Sequence, residues 1–282
     1  MLKKAISGWC FPGQTIKESM LSAKAAGFDG IELTVEENGE TGLDSTPKKW
    51  AEIRKDADEI GIALHCVGTG LHWTYPLTAD DSEVREKGIR IAEMQLDMAE
   101  VFGADAILVV PGAVNARFVP GFKTVAYDTV YERSLEAFSR LKVKAEEKKI
   151  HIGIENVQQW NLFLLSPLEM RDFIDKIGSS YVGAFLDVGN VVPHGYPEQW
   201  IRILGKRIRK VHFKDYRIAA GGFEGFVDLL SGDVNWPEVM AAFKDIGYDG
   251  WATAEMIPPY VHHPEQNVIN ACGAMRRIFG EA

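Results

Sequence analysis

The sequence predicts a single (β/α)8 barrel over residues 1–282, and three observations carry the prediction. The length of 282 residues is close to the roughly 250 of an eight-stranded β/α barrel. Short β-branched runs alternate with segments of helical period, the pattern that calls for a parallel sheet. Phrases such as Ala26-Gly27-Phe28-Asp29-Gly30, Ile60-Gly61-Ile62, Phe102-Gly103-Ala104-Asp105 and Ile246-Gly247-Tyr248-Asp249-Gly250 put a glycine where a helix stops and a strand begins.

The predicted strands are residues 5–9, 30–34, 63–67, 106–111, 151–155, 182–187, 210–214 and 250–255. Ile107, Leu108, Val109 and Val110 are apolar at successive positions, as expected of a strand buried on both faces. Between strands, Val84, Ile91, Met98 and Phe102 fall on one helical face, as do Tyr131, Leu135, Phe138, Leu141 and Ala145 in the next helix. The connections after strands three and seven, 68–81 and 215–235, read as the long ones, which belong at the C-terminal face where barrel active sites sit. An open doubly wound sheet is the alternative. It is disfavoured because Gly8-Trp9-Cys10-Phe11-Pro12-Gly13 is too bulky to cradle a pyrophosphate.

With 31 basic and 40 acidic residues, a net charge of -9 and 46% hydrophobic residues, the chain reads as a globular enzyme rather than a disordered segment. That charge argues against a nucleic-acid partner, and the one dense basic patch, Lys206, Arg207, Arg209 and Lys210, reads as a solvated rim. Cys10, Cys66 and Cys272 form no C-x-x-C pair, so the expectation is a reducing, cytoplasmic setting without a disulfide framework or thiolate zinc site. The N-terminus has no apolar stretch behind Lys3 and Lys4, and no run approaches the ~18 apolar residues of a membrane span.

Four polar residues end four consecutive apolar strands: Glu155, Asp187, His212 and Glu255. They are one βα repeat apart, and neighbouring strands lie about 4.8 Å from one another, so their side chains can converge. Three carboxylates and one imidazole suit a hard divalent cation, Mn2+ first, with Mg2+, Co2+ and Zn2+ as alternatives. Crowded without a cation, the carboxylates would repel one another. The competing reading makes each a separate strand-end cap or satisfied core group.

At these residues the chain resembles the xylose-isomerase-like barrels, which include ketose 3-epimerases, sugar-phosphate epimerases, hydroxypyruvate isomerases and inosose dehydratases. The marks are Gly-Ile-Glu-Asn at 153–156, Asp-Val-Gly-Asn at 187–190, Val-His-Phe-Lys-Asp at 211–215, Ser-Gly-Asp-Val-Asn-Trp at 231–236 and Ala-Glu-Met at 254–256. Tyr75-Pro76-Leu77-Thr78 before a long helix is similar too. The resemblance implies that Glu155, Asp187, His212 and Glu255 bind the metal and that the two glutamates also move protons. It also implies a homodimer or homotetramer. Two departures stand out. Asn190 replaces the histidine that free-ketose 3-epimerases carry three residues after the aspartate, as in the branch resembling L-xylulose 5-phosphate 3-epimerases and hexulose 6-phosphate isomerases. Residues 157–162 lack those enzymes' second glutamate.

Further substrate-binding candidates each have a structural alternative. His65, read at the end of strand three, is a substrate hydrogen-bond partner or a core histidine. Trp73, with Trp9 and Phe11, forms a water-excluding wall or plain packing. Arg217 resembles the family arginine that steadies a substrate hydroxyl or phosphate, or lies on a loop. Lys214 is a point charge for a phosphate or a surface residue. The turn Ser231-Gly232-Asp233 presents N–H groups to a phosphate or is a capped glycine turn. With Asn190, these features tilt the reading toward a phosphorylated ketose.

The expected function is therefore metal-dependent isomerisation or 3-epimerisation of a ketose or ketose phosphate through a cis-enediolate, with Glu155 and Glu255 as the acid/base pair. Rivals in the same fold are an inosose-type dehydratase, a hydroxypyruvate isomerase and, more remotely, an abasic-site endonuclease-like phosphodiesterase. A non-catalytic sugar-binding barrel would be expected to lose one of the glutamates.

Overall fold

The computed structural model describes residues 2–281; Met1 and Ala282, the ends of the predicted 1–282 domain, lie outside the described residues. Eight parallel strands close into a barrel. They are β1 (Lys3–Ser7), β2 (Gly30–Val35), β3 (Ala63–Thr69), β4 (Ala106–Val109), β5 (His151–Glu155), β6 (Val182–Asp187), β7 (Ile208–Phe213) and β8 (Trp251–Ala254). Each is a neighbour of the next, and β8 pairs with β1 to close the ring. Outside it run α1 (Ile16–Ala26), α2 (Pro47–Ile60), α3 (Ser82–Phe102), α4 (Tyr127–Lys148), α5 (Pro167–Ile177), α6 (Pro197–Leu204), α7 (Trp236–Ile246) and α8 (Pro264–Phe279).

Local sequence explains the boundaries. Thr15 and Ser166 open α1 and α5 with reciprocal capping boxes to Glu18 and Glu169, which satisfy the first free N–H groups. The predicted stop glycines cap their helices: Gly27 and Gly247 adopt φ of +100° and +70°, a left-handed turn that a Cβ would disfavour. The inner faces of α1 to α8 pack on the strands in one large apolar core, with Phe102, Phe138, Met98 and Ile91 contributed by the predicted helical faces, and Cys66, Leu108, Val110, Val157 and Phe185 form a second, smaller cluster.

All eight predicted strands exist; β5 and β6 have the predicted ends and the other six are shifted at one end or both. β1 starts and stops two residues before the predicted span, and β3 runs on to Thr69 because it stays paired to β2 through Gly68 and Thr69. The expected long connections after β3 and β7 are joined by a third, residues 110–126, between β4 and α4. Tyr75-Pro76-Leu77-Thr78 anchors that segment: the Ala113 N–H donates to Thr78 Oγ1 at 3.1 Å, and Gly112 packs so closely on Thr78 that a Cβ would come within 2.3 Å of it. After β7, Asp215–Tyr216 and Phe226–Val227 form a two-stranded antiparallel ribbon.

The basic patch is not the uniform solvated rim that was expected. Arg207 pairs with Asp175 and Arg209 donates to the Ser180 carbonyl, whereas Lys210 is buried inside the barrel against Asp105. Among the described residues no helix is long and apolar enough to cross a membrane.

Candidate metal centre and active site

Glu155 closes β5, Asp187 closes β6, His212 is the last residue but one of β7, and Glu255 directly follows β8. Because these strands are consecutive neighbours, one potential ligand atom from each lies within 4.8 Å of all the others. Asp187 and His212 are register partners, and all four side chains are buried.

A fourth buried acid orients the imidazole. Glu32 on β2 accepts from His212 Nε2 at 3.1 Å and from Ser7 Oγ at 3.1 Å. A carboxylate there can only accept, which assigns the ring proton to Nε2 and turns Nδ1 toward Glu255 and Glu155, at 3.3 and 3.8 Å. This is the carboxylate–histidine arrangement that aims an imidazole at a metal.

Asn156 fixes the next strand in the same way. Its amide donates to the Asp187 carbonyl at 2.9 Å and accepts from the Asp187 N–H at 2.7 Å. Asp187 Oδ1 accepts from the Asn190 N–H, leaving Oδ2 for the cluster. Gly189 is required by close approach, since a Cβ would lie 2.5 Å from that of Lys214. Asp-Val-Gly-Asn and Val-His-Phe-Lys-Asp are therefore packed against each other.

Lys214 is buried with its ammonium 2.7 Å from Glu255 Oε2 and 3.2 Å from Asp187 Oδ2. Burial pushes the carboxyls of Glu155 and Asp187 up, Glu155 to about 7, with repulsion from Glu255 adding to it. Burial would raise Glu255 too, but Lys214 and His212 hold it well below the usual carboxylate range. Burial works against a charged His212, yet Glu32 and Glu255 raise it well above its ordinary value.

The residues fit a divalent cation. Asp187 Oδ2, His212 Nδ1 and Glu255 Oε2 are buried without a hydrogen bond of acceptable geometry, the Lys214 contacts notwithstanding. With a cation on Nδ1 the imidazole would be neutral, and a double positive charge beside Lys214 would offset Glu155, Asp187 and Glu255, leaving Glu32 to the Nε2 proton. Three oxygen donors and one nitrogen donor suit a hard or borderline ion.

Above the cluster is a cavity of about 560 Å3. Glu155, Glu255, Lys214, Asn190 and Thr69 supply its polar surface, and Trp9, Trp73, Val110, Phe118, Val157, Trp160, Phe223, Phe226, Ile257 and Pro258 the rest. Its aromatic roof is interlocked: Trp73 meets Phe118 edge-on with ring centroids 4.8 Å apart, and Trp160 stacks on Phe223 at 4.2 Å.

A family model described as xylose isomerase-like TIM barrel matches residues 21–278. The chain belongs to that family. Similar proteins include a D-psicose 3-epimerase of Enterocloster bolteae, 25% identical over 243 residues, 85% of this chain and 76% of that protein. A putative L-ribulose-5-phosphate 3-epimerase of Escherichia coli (strain K12) is 22% identical over 268 residues, 90% of this chain and 88% of the relative. The crystal structure of D-psicose 3-epimerase with D-tagatose from Clostridium cellulolyticum H10 superimposes with a TM-score of 0.82 at 18% identity, covering 100% of both chains; that likeness is one of fold.

Within this xylose isomerase-like barrel, the predicted substrate contacts separate. Trp73, Asn190 and Lys214 line the cavity. His65 does not: because β3 continues to Thr69, His65 sits low in the barrel, against Thr253 Oγ1 at 3.2 Å and stacked on Trp251. Arg217 faces a neighbouring cavity, is exposed, and donates to the Ser231 carbonyl. Phe11 is turned into the core while Trp9 stays in the wall.

The Ser231-Gly232-Asp233 turn encloses an internal anion. Asp215 accepts from the backbone N–H groups of Tyr216, Leu230 and Val234 and from Trp236 Nε1, and a Cβ on Gly232 would come within 2.2 Å of Asp215. Glu32 and Phe118 escaped the sequence reading. A lone glutamate between Ile31 and Leu33 was the available signal for the first; Phe118, on a loop without a period, left none.

Proposed function

We propose that the protein is a divalent-metal-dependent 3-epimerase of a ketose. The observation that carries this reading is the placement of Glu155 and Glu255 on the outer two strands of a four-strand arc, both opening into one cavity, with Asp187 and His212 between them. Glu155, Asp187, His212 Nδ1 and Glu255 would hold the cation, which when bound would supply Lewis acidity to a carbonyl and its neighbouring hydroxyl. One glutamate removes the C3 proton from its side of the substrate, and the other returns one from the opposite side, inverting the centre. Asn190 Oδ1, buried without a partner, accepts from a substrate hydroxyl. The aromatic roof keeps water from the enediolate. The kinship with psicose and ribulose-phosphate epimerases supports the reaction type; three buried free cysteines suit a cytoplasmic setting.

Of the features behind the phosphate expectation, the Gly232 turn, Lys214 and Arg217 all have internal partners. Their engagement supports an unphosphorylated substrate. The test is incubation of a panel of ketoses and their phosphates with Mn2+ in deuterated water. Deuterium at C3 with formation of the C3 epimer is expected. Exchange at C1 with aldose formation would replace this reading by a 1,2-isomerase, loss of a β-hydroxyl by a dehydratase, and no exchange in metal-loaded protein would overturn it.

A further inference from the structure

A second cavity, of about 710 Å3, lies beside the first at the C-terminal mouth and shares Phe118 and Trp160 with it. Gln158, Gln159, Arg117 and His194 also line it. Gln158 is 2% exposed, yet both polar atoms of its amide, and Gln159 Nε2 beside it, are buried without a hydrogen-bond partner. A buried amide that has lost water and gained nothing destabilises the fold. In a cavity wall, a ligand accounts for it. An amide offers donors and an acceptor together, the combination a hydroxyl group answers.

The surroundings favour a neutral ligand. Two amides, an imidazole whose pKa burial lowers, and a single guanidinium face the cavity among apolar groups. A phosphate dianion would want several cations or an array of free N–H groups. Lys214 is held by Asp187 and Glu255, and Arg217 by the Ser231 carbonyl. Aromatic edges beside unpaired amides suit a sugar ring, with its apolar C–H faces and its rim of hydroxyls.

We propose that the second cavity is a subsite for a neutral glycosyl unit, and that the substrate is a ketose carrying that unit on a hydroxyl remote from its carbonyl. The ketose lies over Glu155 and Glu255; the glycosyl ring rests on Phe118 and Trp160 with its hydroxyls on Gln158. This rests on the ketose reading above and extends it.

Three probes that differ only at C6 test it: D-fructose, D-fructose 6-phosphate and isomaltulose, in which a glucosyl unit is attached at C6. C3 deuterium exchange is measured with the Mn2+-loaded protein. The expected result is a kcat/KM for isomaltulose at least about tenfold above both others, roughly 1.4 kcal/mol of binding used in the transition state. In Gln158→Leu the ratio of isomaltulose to D-fructose should fall by a similar factor, while the melting temperature holds or rises as an unsatisfied amide is removed. Saturation-transfer NMR on isomaltulose, which needs no turnover, should label the glucosyl protons in wild type and lose them in the variant. A D-fructose or D-fructose 6-phosphate kcat/KM equal to that of isomaltulose, or a ratio unmoved by Gln158→Leu, overturns the subsite. Where none of the three probes exchanges, saturation transfer decides: its absence overturns the subsite, and its presence leaves the subsite standing while the ketose reading falls.

Discussion

At the N-terminal end of the barrel, Lys210 is buried with its ammonium 2.5 Å from Asp105, whose carboxylate reaches solvent. At the C-terminal end, Lys214 is equally buried but faces Glu255 and Asp187, with Glu155 and His212 in the same cluster. The two lysines are four residues apart in sequence, on and just beyond one strand. One meets a single partially hydrated anion; the other meets an excess of buried anions that it cannot neutralise. The histidines repeat the contrast. His65 is held neutral, its pKa well below 6.5 because burial is opposed by no carboxylate, while Glu32 and Glu255 overcome burial at His212. A pair that closes on itself stabilises a barrel, and a set that does not close asks for a further cation.

The sharpest break in this comparison comes from the proposed acid/base pair. Glu155→Gln and Glu255→Gln should each lower the C3 exchange rate by about 10² to 10⁴, with lost metal affinity adding to the deficit, and leave the far-UV spectrum intact. Metal-loaded Glu255→Gln with near wild-type kcat would refute the two-glutamate mechanism.

Next in size are the lysines. In chelator-treated protein, Lys214→Met should cost about 3–5 kcal/mol, the penalty for leaving buried charges unpaired, measured by urea unfolding. Saturating Mn2+ should restore more stability to this variant than to wild type. Lys210→Met should cost only about 0–1 kcal/mol, because Asp105 keeps its water. Equal losses in the two variants would erase the distinction between the ends.

Glu32→Gln reaches the site through His212 alone. Mn2+ affinity, by calorimetry, should fall about 10- to 100-fold, as for other partners behind a metal-binding histidine. An unchanged affinity would reduce Glu32 to a packing role.

The smallest expected effect is in the pH dependence. A histidine whose folded pKa lies below 6.5 leaves the unfolded chain binding the extra proton, so stability falls as pH drops below about 6.5. The slope approaches 1.4 kcal/mol per unit between the unfolded and folded pKa values. His65→Gln, which keeps a partner for Thr253, should flatten urea midpoints measured between about pH 7.5 and 5.5. A slope unaltered by the substitution would mean that His65 titrates in the folded state.

The sequence reading succeeded where period and position agree. Glu155 and Asp187 stand at the last position of apolar runs, and the β/α alternation puts such residues at one mouth of the barrel. It failed where one residue must be read against a distant segment. The predicted third strand stops at residue 67, which puts His65 near its end; in the fold Gly68 continues β3 beside β2, and a Cβ there would meet Glu32 and Trp9 at 3.5 Å. Lys214 and Ser231-Gly232-Asp233 read as anion binders; Lys214 meets Glu255 and Asp187 of the same chain, and the turn packs on Asp215, to which the flanking Leu230 and Val234 donate. Gln158 carries no local mark at all, since an amide beside an apolar residue is ordinary until burial removes its water.

The aromatic roof is assembled from loops: Trp73 from the segment after β3, Phe118 from residues 110–126, Trp160 from the segment after β5, and Phe223 from the excursion after β7. None of the four cluster residues sits on these segments, and Asn156, which holds Asp187, directly follows β5 ahead of Trp160. Floor and roof are therefore separable parts for an engineer. A library confined to these loops, with Asn156 kept, would vary the shape of the molecule admitted while Glu155, Glu255 and their spacing stayed constant.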